Sequence, residues 1–185
     1  MPQPTVLDEV FALAATALPA AGVQCLVVGG FAVNHYGYTR NTLDVDFMIA
    51  ADQIAAVRPI MEKAGFTSFS ISDTVAFFAK PGSTLRVDFL RVDAATMRTL
   101  SADTGPIMLS GHSLRVPSLK NLLAMKLFAM ANAPARRLDK DLPDVAYLCV
   151  LNDLSLEDDL LPLCRRYASD GIYRLVQQKV ESLRT

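Results

Sequence analysis

Tryptophan is absent from the 185 residues, histidine occurs twice and cysteine only three times. Cys25, Cys149 and Cys164 are odd in number, widely spaced and without a Cys-x-x-Cys pair. That argues against a disulfide framework and against zinc, and it points to a reducing, cytoplasmic setting. Each cysteine reads as a small buried hydrophobe. His35 and His112 are too few for a His-rich metal site, so carboxylates must hold any metal the protein uses. An excess of one charge is also missing. Eighteen Lys+Arg face 19 Asp+Glu, for a net charge of −1 and a pI near 6.1. A globally basic nucleic-acid binder is thereby disfavoured, although local basic patches stay open. No apolar run approaches the ~20 residues of a membrane-spanning helix. The start, Met1-Pro2-Gln3-Pro4 with Asp8 and Glu9 soon after, lacks the basic opening of a signal peptide. Low-complexity tracts are absent, and 51% hydrophobic against 20% charged residues describes a folded chain rather than a disordered one. Its length suits one domain, or one with a small appendage, by the rule of about 100–200 residues per domain.

Hydrophobic spacing organises what is present. Leu7, Val10, Phe11, Ala14 and Leu18 predict a helix over 5–18, closed by Pro19 and Gly22. Gln24 to Val28 is a short apolar strand running into Gly29-Gly30, followed by a helix to about Tyr36 and Gly37. Leu43 to Ile49 alternates as a second strand. Residues 52–64 have helical spacing, with Pro59 expected to kink or end the first half. Strands are predicted at 66–71, 75–80 and 85–92, the last two as a hairpin around Pro81-Gly82-Ser83. A loop region with Gly105-Pro106 and Gly111-His112 leads to another short strand pair. After Pro117 the pattern is helical: about 118–131, 139–152, 155–168 and 171–183. The division expected is 1–117, an α/β core, and 118–185, a helical region, packed as one unit because no Gly/Ser- or Pro-rich linker separates them.

The chemistry concentrates on two strands. In Leu43-Asp44-Val45-Asp46-Phe47-Met48-Ile49, alternation points Leu43, Val45, Phe47 and Ile49 one way and both aspartates the other. Two carboxylates ~7 Å apart on one face repel unless a cation lies between them. Merely solvated acids on an exposed face are the plain alternative, weakened by the apolar Met48, Ile49 and Ala50. Leu85-Arg86-Val87-Asp88-Phe89-Leu90 repeats the arrangement, with Asp88 opposite the core-facing Leu85, Val87 and Phe89. Were the two strands neighbours, three aspartates would meet. Three hard oxygen donors without His or Cys suit Mg²⁺ or Mn²⁺. Val27-Val28-Gly29-Gly30 ends a strand and opens a helix, where backbone N–H groups form an anion site. A tight strand-to-helix turn is the better explanation of the glycines when they are taken alone, but a carboxylate site fifteen residues later favours phosphate.

The stretch Gly29-Gly30 through Arg40-Asn41-Thr42-Leu43-Asp44-Val45-Asp46, with Asp88 as a later third acid between hydrophobic residues, resembles the signature of the nucleotidyltransferase superfamily with its polymerase-beta-like core. The Arg-x-Thr-x-Asp-x-Asp spelling is most similar to the abortive-infection toxins of type IV toxin–antitoxin pairs. Aminoglycoside and lincosamide adenylyltransferases are also similar but typically have Trp after the glycines and His at the Thr42 position; here Phe31 and Thr42 stand. The resemblance covers roughly 25–90. It implies an α+β fold, a mixed-sheet nucleotidyltransferase core with a C-terminal helical bundle.

In the helical half, Leu119, Leu122, Leu123, Leu127 and Met130 form an apolar stripe with Lys126 in its middle. Such a lysine snorkels outward or finds an anion; beside a triphosphate site, phosphate is the favoured partner. Arg136-Arg137-Leu138-Asp139-Lys140-Asp141-Leu142-Pro143-Asp144 resembles the family's downstream Lys-Asp-x-x-Asp motif, with helix N-capping by Asp139 or Asp141 as an even alternative. Pro143 fits early in that helix. His35 and His112 read as an ordinary helix-face and turn histidine. Tyr36 and Tyr38 read as packing residues, with base stacking open. Asp93, Asp103 and Glu157-Asp158-Asp159 read as surface or helix-start charges.

The resemblance implies Asp44, Asp46 and Asp88 as catalytic metal ligands for Mg²⁺ or Mn²⁺, with Asp88 also receiving the acceptor proton. It implies Gly29, Gly30, Arg40, Thr42, Lys126, Lys140 and Asp144 as substrate-binding residues. The expected reaction moves an NMP from an NTP to an acceptor hydroxyl with release of pyrophosphate. Three acceptor readings stay open: RNA, a tRNA end or a protein for a toxin paired with an antitoxin; a small molecule; or no acceptor, in a non-catalytic NTP-binding member. The apolar content is compatible with a homodimer, and no membrane is expected.

Overall fold

The computed structural model describes residues 5–184, apart from the side chains of Ser68 and Phe69. The chain forms two units, one taking the residues up to Ala32 and then Asn41–Ser118, the other Val33–Arg40 and everything from Leu119 onward.

In the first unit, α1 (Val6–Ala15) opens on a capping box in which the Thr5 hydroxyl accepts from the Asp8 N–H while the Asp8 carboxylate accepts from the Thr5 N–H. Thr16, at φ −126°, separates it from a single turn, α2 (Ala17–Ala20), so the expected first helix is divided. Strand β1 (Leu26–Val27) runs into α3 (Gly29–His35), whose residues from Val33 on belong to the second unit; then come β2 (Asp44–Ala50), a 3₁₀ turn at Ala51–Gln53 and α4 (Ile54–Lys63). Pro59 lies inside α4 without ending it. Strands β3 (Thr67–Ile71), β4 (Val75–Ala79) and β5 (Arg86–Val92) precede α5 (Ala94–Ala102), and β6 (Thr104–Leu109) and β7 (His112–Pro117) close the unit.

The main sheet has the order β1-β2-β5-β4-β3. β2 and β5 are parallel and the other pairs antiparallel, which makes the sheet mixed. The hairpin read around Pro81-Gly82-Ser83 is β4–β5. The segment after Asp93 is a helix, started by the Asp93 carboxylate accepting from the N–H groups of Ala95 and Thr96, in keeping with the helix-start reading of Asp93. One reading needs correction. Gly105 and Pro106 belong to β6 rather than to a loop, since the β6–β7 ribbon has only two strands and an edge position needs no donor from Pro106. Alternation buries Val45, Phe47, Ile49, Val87 and Phe89, with Phe47 stacked on Phe89 at 5.5 Å between centroids and Phe78 edge-on to Phe89. Each such side chain contributes roughly 1.5–3 kcal/mol on burial. This apolar layer fixes which side of β2 and β5 carries the acids.

The second unit holds α6 (Leu119–Asn132), α7 (Pro134–Leu151), a π-turn at Leu156–Leu160, α8 (Leu161–Tyr167) and α9 (Asp170–Arg184). Leu122, Leu123, Leu127 and Met130 of α6, Val145, Leu148 and Cys149 of α7, and Val176 and Val180 of α9 are buried. Helix α7 begins five residues before the predicted start at 139, because Pro134, with its preset φ and no N–H to satisfy, occupies the first turn. Asp139 and Asp141 are therefore not N-caps, and Pro143 stands in the helix interior, not near its start. Cys25, Cys149 and Cys164 are free thiols, and burial pushes them up to about 12, 12 and 11, out of the reactive range.

Candidate active site

The parallel register of β2 and β5 sets Asp46 beside Asp88 and Asp44 beside Arg86. Strands are ~4.8 Å apart, so the acids of the two strands meet on one face. Arg86, two residues before Asp88 and on the same face, forks across them. Its Nε donates to Asp88 Oδ1 at 2.7 Å, while Nη2 donates to Asp88 Oδ2 at 2.9 Å and to Asp44 Oδ2 at 2.8 Å. The guanidinium also lies 5.1 Å from the Phe77 ring centroid, on the adjacent strand β4. Asp88 is 5% exposed. Burial pushes its carboxyl up to about 6; Arg86 pulls the other way, and the charges of Asp46 and Asp44 add to the rise.

The two glycines make room for this arrangement. Gly29 has φ +59°, and a Cβ there would sit 1.8 Å from Asp46 Oδ2. A Cβ on Gly30 would sit 2.5 Å from Thr42 Oγ1, whose hydroxyl donates to the Asp44 carbonyl at 3.0 Å. The absent side chains are thus matched by Asp46 and Thr42, which gives the Gly-Gly pair a packing reason that the phosphate reading did not include.

A second acid–base cluster lies within the helical unit. Lys126 is 6% exposed, and its Nζ donates to Asp141 Oδ1 and Asp144 Oδ2, both at 2.7 Å. Arg40 forks onto Asp144, with Nε to Oδ1 at 2.7 Å and Nη2 to Oδ2 at 2.8 Å. Arg137 approaches Asp141 at 3.8 Å. Burial opposes ionisation of Asp144, but Arg40 and Lys126 outweigh it and hold the carboxyl below its usual range. Nearby, Tyr38 stacks on Tyr147 at 4.1 Å, and the Asn34 side chain brackets the Arg40 backbone.

The expected site residues therefore fall into two groups. Gly29, Gly30, Thr42, Asp44, Asp46 and Asp88 meet on the sheet unit, whereas Arg40, Lys126 and Asp144 meet one another in the helical unit. Lys140 is exposed on α7. His35 packs edge-on to Tyr36. Sequence reading gave no role to Arg86, and it placed Asp141 in the Lys-Asp-x-x-Asp motif or at a helix N-cap rather than against Lys126. The signal for Arg86 was available, because alternation puts residues 86 and 88 on one side.

Among the described residues, no three His, Cys, Asp or Glu side chains converge on one point as a metal would require. Asp46 lies against Gly29, and Arg86 sits between Asp44 and Asp88. The donor chemistry nevertheless fits a hard dication, since the oxygens are all carboxylate and Asp44 and Asp88 already share one cationic partner.

No protein-family model matches the chain, and no curated protein matches it in sequence. Solved structures do. The antibiotic-resistance factor ANT(2'')-Ia is similar over 96% of this chain and 94% of its own, with a TM-score of 0.61 at 12% identity. An antigenic nucleotidyltransferase-like protein from Paracoccidioides brasiliensis is similar over 92% of each chain, with a TM-score of 0.56 at 17% identity. The lincosamide antibiotic adenylyltransferase LnuA, solved with lincomycin, is similar over 81% of this chain and 99% of its own, with a TM-score of 0.55 at 11% identity. At such identities the likeness is one of fold. The chain has the α+β fold of these nucleotidyltransferases.

Proposed function

We propose that the protein is a nucleotidyltransferase that moves an NMP from an NTP to an acceptor hydroxyl and releases pyrophosphate. The observation that carries this reading is the register Asp46↔Asp88 on adjacent parallel strands, with Asp44 on the same face and bonded to the same arginine as Asp88. Asp44, Asp46 and Asp88 would hold Mg²⁺ or Mn²⁺. When bound, the metal supplies Lewis acidity, which lowers the pKa of a hydroxyl and steadies a pyrophosphate leaving group. Asp88, buried beside the other two acids, is the residue that would take the proton from the acceptor hydroxyl. The backbone N–H groups that follow Val28 are the anion-binding element for the triphosphate.

For the acceptor, the Arg40-x-Thr42-x-Asp44-x-Asp46 spelling and its toxin-like resemblance favour RNA. A small-molecule acceptor is the second reading, favoured by the fold likeness to ANT(2'')-Ia and LnuA. The test is incubation with Mg²⁺ and each α-phosphate-labelled NTP, with total RNA in one arm and an aminoglycoside or lincosamide in the other. Label should enter RNA, and Asp44→Asn should abolish it. Transfer to the drug alone would move the assignment to the second reading; transfer unaffected by Asp44→Asn would remove the site.

A further inference from the structure

We propose that Arg86 is a resident counter-cation that a divalent metal must displace, so that metal binding and arginine release are one coupled event. The inference rests on the reading that the three aspartates hold a metal, and it adds a regulatory element to that site.

The geometry is specific. The guanidinium spends two of its donors on both oxygens of Asp88 and shares one of them with Asp44, at 2.7–2.9 Å. Those carboxylates offer their facing lone pairs to the arginine, and a dication needs the same lone pairs at ~2.0–2.1 Å. On that edge guanidinium and metal compete, because both draw on the same carboxylate oxygens and repel electrostatically. The arrangement also has a release route. Arg86 is 41% exposed at its side chain whereas Asp88 is 8% exposed, and the Phe77 ring already lies against the guanidinium. A rotation of the arginine side chain therefore frees the two carboxylates without moving either strand, and the cation keeps an aromatic partner and solvent. The arginine serves a purpose before that: with β2 and β5 in register, Asp44, Asp46 and Asp88 repel one another, and burial adds to the cost at Asp88. The guanidinium holds the ligands in place until the metal arrives, at the expense of metal affinity.

The experiment is calorimetric titration of Mn²⁺ into the intact protein and into Arg86→Met, with nucleotide absent. The variant should bind Mn²⁺ more tightly, by about tenfold or more, since a competing unit charge at hydrogen-bond distance has been removed. Arg86→Lys, which keeps the charge but cannot fork over two carboxylates, should fall between the two. A second readout on the unaltered chain avoids dependence on variant folding. The Nε–H proton of Arg86 should exchange slowly in metal-free protein and lose that protection as Mn²⁺ or the diamagnetic Mg²⁺ is added. Equal or weaker Mn²⁺ binding by Arg86→Met, or an Nε–H signal indifferent to Mg²⁺, would overturn the proposal while leaving the metal site standing. If the unaltered protein and Arg86→Met both failed to bind Mn²⁺, the functional reading itself would fall, and this proposal with it.

Discussion

Two clusters in this molecule pair carboxylates with basic side chains, and they differ in charge balance. On the sheet, Asp44 and Asp88 share one guanidinium with Asp46 close enough to raise Asp88 further. In the helical unit, Asp141 and Asp144 are met by Lys126, Arg40 and Arg137. The first is short of positive charge, and its buried carboxyl is pushed up to about 6; the second has positive charge to spare, and Asp144 is held low. Under the proposed function, a site that takes a cation and a cluster that holds a fold use the same residue types. Stoichiometry and the direction of the carboxylate shifts distinguish them.

The largest effect is expected from removing an acid of the sheet cluster. Asp46→Asn should leave the fold intact yet lower NMP transfer by about 10³-fold or more, the scale expected when charge stabilisation at the reacting phosphorus is lost. Steady-state transfer rates alongside circular dichroism check both halves of the statement.

Removing the cations should have the opposite pattern. Lys126→Met leaves Asp141 and Asp144 buried with a partner missing and should destabilise the protein by about 3–5 kcal/mol in urea unfolding. Arg86→Met, at a more exposed position, should cost about 1 kcal/mol. Equal costs at the two sites would erase the distinction.

The pH profile sharpens the contrast further, because the two shifts have opposite sign. Asp144 is held below its ordinary value of 3.8, so the folded state binds fewer protons than the unfolded chain in that range. Its stabilising contribution is present above pH about 4 and is lost as pH falls. Asp88 is raised, so between pH 3.8 and about 6 the folded state binds more protons than the unfolded chain, and its contribution falls as pH rises through that window. Unfolding free energies measured from pH 3 to 8 should lose the acid-side rise in Asp144→Asn and the fall between about 4 and 6 in Asp88→Asn.

Much of this was legible in the residues themselves. The alternation of Asp44 and Asp46 with Val45 and Phe47, and of Asp88 with Val87 and Phe89, marked the acidic face before any fold was known, because strand geometry leaves side chains no other choice. The β2–β5 adjacency was only conditional, since parallel pairing is a long-range fact that neither strand encodes alone. Arg86 was passed over although the same period-two rule reaches it; its importance depends on what lies across the strand, at Asp44. Lys126 was correctly singled out as an inward lysine. Its anion, expected to be phosphate, is supplied here by Asp141 and Asp144, fifteen and eighteen residues away. Helix α7 misled the reading at Pro143, which local rules place near a helix start and which tertiary packing of α7 tolerates in the interior.

Thermal unfolding with and without Mg²⁺, measured on the unaltered protein, on Asp88→Asn and on Asp144→Asn, shows which cluster takes the cation. A ligand that binds only the folded state raises the melting temperature. Mg²⁺ should raise it for the unaltered protein and, from a lower starting point, for Asp144→Asn, but not for Asp88→Asn. A Mg²⁺ shift that survives in Asp88→Asn and vanishes in Asp144→Asn would contradict this expectation, since the helical cluster would then be the cation site.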